Sequence, residues 1–348
     1  MAYKKHVISE NETVKSALIK LDSLAYDAIL FTINDSGVLT GSVTDGDVRR
    51  GFVKGITIED SLKKVSFKAP RSFFIDKIDI NQLVEFREAK IRIVPIVDKE
   101  DRIVDVINFR LRKSLLPIDV VIMAGGKGIR LRPLTDTTPK PLLMVGDKTI
   151  LEHNMRRYES YGVQSIKITT NYLSDKIDAF VSEVSNSFRT KIETVKEESF
   201  LGTIGSVRLV KEYKQDYVLV SNSDLLTDVD YEAFFLDFIK NDADMSVVTI
   251  PYKVDIPYAI MDIEENYLQS FQEKPRYTYF SNGGIYLFKK EVLKDIPLNQ
   301  SYSATDLMQK LISNKRKIRT YAHKGYWLDI GQHQDYNKAQ EDIKRKQF

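Results

Sequence analysis

"MAGGKGIRLRPLTDTTPKPLL" spans residues 123–143. It follows the apolar run "VVIMA" and gathers Gly125, Gly126 and Gly128, the cations Lys127, Arg130 and Arg132, and a Lys140 framed by Pro139 and Pro141. An apolar strand that empties into a glycine turn lets backbone amides approach a ligand closely, and the cations set that ligand's sign as negative. Outward from this turn, β and α patterns alternate. "TILEHNMRRYESYGV" reads as a helix closing on Gly162, "SIKITTNY" as a strand, "SDKIDAFVSEVS" as a helix with a Ser/Asp start, and "YVLVSNSDLL" as a strand ending in polar residues. Such alternation predicts a mostly parallel sheet covered on both faces, with ligands beyond the carboxyl ends of its strands. The glycine turn, "TNY" and "NSD" all fall at those ends.

The rest of the composition narrows the field. With 348 residues, 43% hydrophobic and 29% charged, the chain suits two globular domains that bury a core without staples. No apolar run approaches the ~18 residues of a membrane span. The opening "MAYKKHVISENETVK" lacks the apolar centre of a secretory signal, and there is no cysteine, which excludes disulfides and thiolate metal sites. A cytoplasmic protein is expected. Net charge is +3, from 52 basic and 49 acidic residues, so neither nucleic acid nor membrane is expected as a partner. His6, His153, His323 and His333 lack ligand spacing, and aromatics such as those of "YEAFFLDFI" fall at core spacing. No G-x-G-x-x-G occurs, and "VGDKT" is not a P-loop.

Before Pro117 the pattern differs. "AILFTINDSGVLTGSVTDGDVRR" (28–50) and "RIVPIVDKEDRIVDVINFRLRK" (92–113) are weak copies of one unit, each preceded by an amphipathic helix, at 12–24 (Val14, Leu18, Leu21) and 80–89 (Leu83, Val84, Phe86). Residues 1–113 resemble a tandem CBS pair, an α+β module that binds adenine nucleotides in many proteins, with 114–117 as linker. The resemblance places AMP or ATP at Thr44 and Asp47 of the first copy, hydroxyl near phosphate and carboxylate on the ribose diol. The second copy departs from the pattern, with Asn108 and Leu111 at the matching positions. Thr44 as a helix N-cap and Asp47 as a first-turn acid is the competing reading. CBS pairs commonly associate, so a homo-oligomer is expected.

Residues 118–348 resemble the sugar-1-phosphate nucleotidylyltransferases. The loop follows their G-G-x-G-T-R-L-x-P-L-T-x-x-x-P-K-P-L signature with one departure, Ile129, and "LGTIGS" (201–206), "EKP" (273–275), "SNGGIYLF" (281–288) and "YWLDIGQHQDYNKA" (326–339) follow in family order. The resemblance implies a Rossmann-like α/β domain in which a sugar 1-phosphate attacks the α-phosphorus of a nucleoside triphosphate and pyrophosphate leaves. It implies triphosphate and base binding by Ala124, Gly125, Gly126, Gly128, Leu201, Gly202, Thr203 and Gly205. Arg130 grips the triphosphate, Lys140 leans on the α-phosphate, and Asp224 with Asp329 holds Mg²⁺. Glu273, Lys274, Asn282 and Gly283 take the sugar and its phosphate. Members with a CBS pair ahead of this domain guanylylate amino-sugar or hexose 1-phosphates for bacterial glycan and nonulosonic acid precursors, so GTP is the expected donor. Glu197 or Glu198 could accept from guanine N1–H and N2–H₂. Ser223 replaces the usual glycine before the first aspartate, and Ala259 the glycine of a "PYG" turn. Competing readings stay open: a surface ion pair for Arg130, a solvated loop lysine for Lys140, turn or cap aspartates for Asp224 and Asp329, and a solvated face for the glutamates. Donors UTP, dTTP, CTP or ATP, acceptors such as mannose or glucose 1-phosphate, and a non-catalytic nucleotide or sugar binder are the alternatives.

Overall fold

The computed structural model describes residues 2–76 and 78–345, and the chain divides between Leu115 and Leu116 into two compact units. The first unit repeats one pattern. β1 (Val7–Ser9), α1 (Val14–Leu24), β2 (Leu30–Ile33), β3 (Leu39–Val43) and α2 (Asp45–Val53) are followed by β4 (Phe73–Phe74), α3 (Ile80–Glu88), β5 (Ile93–Val97) and β6 (Ile103–Asn108). In each copy the first strand runs parallel to the second and the second antiparallel to the third. The Thr13 hydroxyl accepts from Ser16 N to start α1, which buries Val14, Ala17, Leu21 and Leu24, one face of a helix. Ala17 takes the buried position expected of Leu18, which is only half-buried. Phe31 from one copy and Ile93, Val97 and Ile103 from the other share a core. The second copy has no counterpart of α2. There the Leu111 and Arg112 amides both donate to the Asn108 carbonyl, closing a turn where the first copy starts a helix.

In the second unit the elements run β7 (Ile118–Met123), β8 (Met144–Val145), β9 (Lys148–Thr149), α4 (Ile150–Ser160), β10 (Ser165–Thr170), α5 (Ser174–Val184), β11 (Lys191–Lys196), β12 (Tyr217–Asn222), β13 (Leu225–Thr227) and α6 (Tyr231–Lys240). They continue with β14 (Met245–Asp255), β15 (Ile260–Glu264), β16 (Tyr267–Gln272), β17 (Arg276–Lys289), α7 (Ala304–Ser313), β18 (Ile318–Ala322), β19 (Trp327–Asp329) and α8 (His333–Asp342). The central sheet has seven strands in the order β11-β10-β7-β12-β17-β14-β18. β17 is antiparallel to both neighbours, while the others share one direction. Central strands buried on both faces read as apolar runs, and β7 does so, with Val120, Val121 and Ile122 fully buried. The carboxyl ends of β7, β10 and β12 lie side by side, which sets the glycine turn beside Asn171 and Asp224. α5 begins where expected, with Ser174 and Asp175 in its first turn, and Leu173, in left-handed conformation, precedes it.

Past the body of the sheet, β14 and β17 continue as a two-stranded ribbon, and β15 with β16 forms its tip. Every residue of β15 and β16 is exposed. None of the described helices is long and apolar enough to cross a membrane.

Candidate active site

The site is built on the turn after β7. Ala124 N donates to Thr169 O at 2.9 Å, which ties the turn to β10. Gly125 passes so close to Glu197 that a Cβ would lie 2.7 Å from its Oε1. Gly128 has φ +61°, and a Cβ there would meet Thr135 and Lys140 side-chain carbons at 3.0 and 3.1 Å, so conformation and space both exclude a side chain. Thr135 Oγ1 donates to Gly128 O at 2.8 Å and closes the turn. Arg130 follows on a short 3₁₀ turn anchored by the buried Leu131, and Lys140 starts another whose Pro141 is buried. These cations border an open cleft of about 760 Å³.

Two aspartates more than a hundred positions apart come together at Lys140, and Asp224 lines the cleft. β13 pairs with β19, setting Leu225 opposite Asp329, and Ile330 N donates to Asp224 O at 3.0 Å. The Lys140 ammonium pairs with Asp224 Oδ2 and stands 3.9 Å from Asp329 Oδ1. Burial, and then the Asp224 charge, push the Asp329 carboxyl up to about 6, against the pull of Lys140 and Arg130. Asp224 Oδ1 and Asp329 Oδ1 are both buried without a hydrogen-bond partner. Two orphaned carboxylate oxygens on aspartates that share one lysine fit a hard divalent cation that takes few protein ligands and completes its shell with phosphate oxygens and water. Among the described residues no group of three or more His, Asp or Glu could hold a metal, so substrate oxygens would have to complete the shell.

Opposite the turn runs the 197–206 loop. Glu197 is buried, its Oε2 accepts from Leu201 N at 3.2 Å, and burial raises its carboxyl above the ordinary value. Gly202 and Thr203 line the cleft, and the Thr203 hydroxyl accepts from Ala304 N at 3.0 Å. Leu201 and Gly205 pack behind it: Leu201 is buried, and a Cβ on Gly205 would lie 2.6 Å from Gln300 O. Their part is to shape the loop rather than to face a ligand. Several lining residues were given no role from the sequence, among them Asn171, Phe200, Ser206 and Asn222. Asn171 and Asn222 carried a signal, since each is a polar residue at a strand's carboxyl end. Phe200 and Ser206 carried none, because their facing depends on how the loop folds back.

The residues expected on the sugar separate. Asn282 donates to Tyr286 OH at 2.8 Å and accepts from Gly284 N at 2.9 Å, and Gly283 O accepts from Trp327 Nε1 at 2.9 Å. Both sit where β17 leaves the body, and neither lines the cleft. Glu273 and Lys274 are placed away from it altogether, in the exposed turn between β16 and β17, with Lys274 at φ +44°. From Asn282 to Arg276 β17 covers about 20 Å at ~3.3 Å per residue, and none of the four residues expected on the sugar lines the cleft. Ala259 lies on the same ribbon. In the first unit Thr44 and Asp47 form a reciprocal capping box at the start of α2, and Arg50 pairs with Asp47 at 2.5 Å.

Residues 119–346 match the family described as "Nucleotidyl transferase". The chain belongs to this family. Similar proteins include the mannose-1-phosphate guanylyltransferase of Mycobacterium tuberculosis (strain ATCC 25618 / H37Rv), 32% identical over 237 residues, covering 66% of this chain and 65% of that protein. Another is the mannose-1-phosphate guanyltransferase of Aspergillus fumigatus, 30% identical over 226 residues, covering 62% of this chain and 61% of that protein. The nucleotidyl transferase thus spans 61–65% of the length of these curated relatives. Among solved structures, HddC from Yersinia pseudotuberculosis complexed with GMP-PN is 29% identical, with a TM-score of 0.51, covering 65% of this chain and 99% of that one.

For a nucleotidyl transferase the obstacle is charge. Two like unit charges ~4 Å apart repel by about 4 kcal/mol at an effective dielectric of 20, and a triphosphate meeting an anionic acceptor holds several such pairs. Lys127, Arg130 and Lys140, gathered on one side of the cleft, are fixed positive charges of the kind this chemistry requires.

Proposed function

We propose that this nucleotidyl transferase moves a guanylyl group from GTP to a sugar 1-phosphate of the hexose or amino-sugar class, with Mg²⁺ at Asp224 and Asp329. One observation carries the reading: a single cleft is lined by the glycine turn, Arg130, Lys140 and Asp224, and Lys140 ties Asp224 to Asp329, each with an orphaned carboxylate oxygen. A phosphate oxygen of the acceptor forms the new bond to the α-phosphorus. The bond from that phosphorus to the bridging oxygen breaks, and pyrophosphate leaves with the electron pair. The nucleophile is already an anion, so no side chain has to move a proton. Arg130 holds the departing phosphates, and Lys140, steadied between two prolines, stabilises charge at the α-phosphate. Bound Mg²⁺ would neutralise phosphate charge and align the triphosphate. Guanine is favoured by the buried Glu197, which offers acceptor oxygens at the base end, and by the guanylyltransferase names of the relatives. The duplicated topology of the first unit supports a regulatory CBS-type pair taking AMP or ATP at Thr44 and Asp47.

The test is pyrophosphate release in Mg²⁺, with GTP, UTP, dTTP, CTP and ATP crossed against mannose, glucose and glucosamine 1-phosphates. Release with GTP is expected. Release only with another triphosphate overturns the guanylyl assignment, and none with any pair favours a binding protein.

A further inference from the structure

The ribbon beyond the central sheet has an apolar face that no described residue of its own unit covers. Across β15 and β16, directly opposed residues share a face: Met261 lies opposite Phe271 and Ile263 opposite Leu268 on one, Asp262 opposite Ser270 and Glu264 opposite Tyr267 on the other. The first face is wholly apolar, and its residues are 51% to 62% exposed. Apart from Ile260 on the second face and a register shift between Asp262 and Ile263, this alternation is the pattern of a sheet with one covered side, and a two-stranded hairpin with no layer against it is marginal in water. Six aromatic side chains of the ribbon, Tyr252, Tyr258, Tyr267, Phe271, Tyr279 and Phe280, are 59% to 75% exposed. They are spread over both faces, since Tyr267 faces away from Phe271 and Tyr279 is next to Phe280; the Met261–Phe271 face alone leaves on the order of 400 Å² uncovered, the size of a monomer's largest and often functional patch.

The cleft, for its part, lacks a cation where a second anion must enter. Its lining cations among the described residues, Lys127, Arg130 and Lys140, all come from one loop, while Asn222 and Ser223 form a neutral wall. Lys274 stands on the ribbon, about 20 Å of strand from Asn282 and the body of its own unit. Both deficits are met by one arrangement.

We propose that the ribbon is an exchanged arm: in a two-fold dimer of this chain each ribbon lays its Met261–Phe271 face on the second copy and brings Glu273 and Lys274 to the sugar-phosphate end of that copy's cleft. The self-complementary geometry of a two-fold axis covers both apolar faces at once and completes both clefts. The inference rests on the transferase reading of the cleft, since it names the source of the second anion's cation.

Two measurements on the full chain test it. In light scattering coupled to size exclusion, the wild-type chain is expected at twice its chain mass, and Phe271→Glu and Ile263→Lys at the single-chain mass, with melting curves confirming that both fold. Since the first unit can associate on its own, the arm is overturned by a wild-type monomer, or by variants that remain dimers and keep wild-type turnover. The second measurement mixes Arg130→Ala chains with Lys274→Ala chains, each weakly active alone. Exchange gives half the dimers one intact cleft out of two, so turnover should recover to about a quarter of wild type. No recovery from demonstrated heterodimers overturns delivery in trans. If the wild-type chain releases no pyrophosphate with any substrate pair, the transferase reading fails, while the masses still decide the arm.

Discussion

Lys140 joins the two halves of the site, and replacing it by methionine separates their contributions. Methionine keeps an unbranched stem of similar length in a position where the lysine side chain is only 11% exposed, and it removes the charge that Asp224 and Asp329 share. At 3.9 Å from Asp329, and at an effective dielectric of 20, that charge is worth about 4 kcal/mol before screening. The Asp329 side chain is 40% exposed, and solvent and salt reduce the figure to about 1–2 kcal/mol. The variant leaves two carboxylates facing each other, with Asp329 already held at about 6 even in the presence of the lysine. In EDTA it should therefore melt roughly 2–8 °C below wild type, using about 2–4 °C per kcal/mol for a unit of this size. Mg²⁺ should restore much of that loss and shift the variant more than wild type, where the metal must displace an ammonium. Turnover should move the other way, falling on the order of 10²-fold or more in saturating Mg²⁺, because a charge preorganised at the α-phosphate is gone. Differential scanning calorimetry with and without Mg²⁺, alongside pyrophosphate release, reads both. Equal Mg²⁺ shifts in the two proteins, or turnover within about threefold of wild type, would refute the idea that Lys140 sits between the metal site and the phosphate.

Gly128→Ala should lower turnover at least about tenfold and stability by about 1 kcal/mol or more, since a methyl at φ +61° would press on Lys140; wild-type melting and kinetics would show that the turn has slack. Asp329 has a folded pKa of about 6 against an ordinary 3.8, so the folded state binds the extra proton between those values. The cost of its charge is complete above about pH 6 and gone below about pH 4. The metal-free chain should gain stability from this group on acidification from about pH 7 to 5, and Mg²⁺ affinity should fall as pH drops through about 6; denaturant titrations in which Asp329→Asn keeps the wild-type slope would contradict it. Asp47→Ala should abolish AMP or ATP binding to the first unit and cost about 1 kcal/mol of cap while leaving effector-free turnover intact, and calorimetry showing unchanged nucleotide affinity would remove Asp47 from that site.

What could be read without coordinates divides along a physical line. The glycine turn, Arg130 and Lys140 are contiguous, so local rules of sterics and charge were enough to assemble them. The central sheet was legible for the same reason, since a run such as "VVIMA" reports burial on both faces. The meeting of Asp224 with Asp329 depends on β13 pairing with β19, a long-range contact that no periodicity reports; only family order suggested it. Phe200 and Ser206 were lost because a loop's facing is decided by what it packs on, here the 300–302 segment behind Gly202 and Gly205. The ribbon is the instructive case. "AIMDIEENYLQSFQ" was assigned no element from the sequence, yet it folds as a hairpin with Glu265 and Asn266 in left-handed conformations at its turn. Alternation specifies that a face is to be covered but not by what, and "EKP" specifies residue types but not whose cleft they reach. Strand length supplies the missing term: about 20 Å of β17 separates Lys274 from its own body, more than a lysine side chain can span. A motif shared with monomeric arrangements can therefore act across a two-fold axis once the strands that carry it run long.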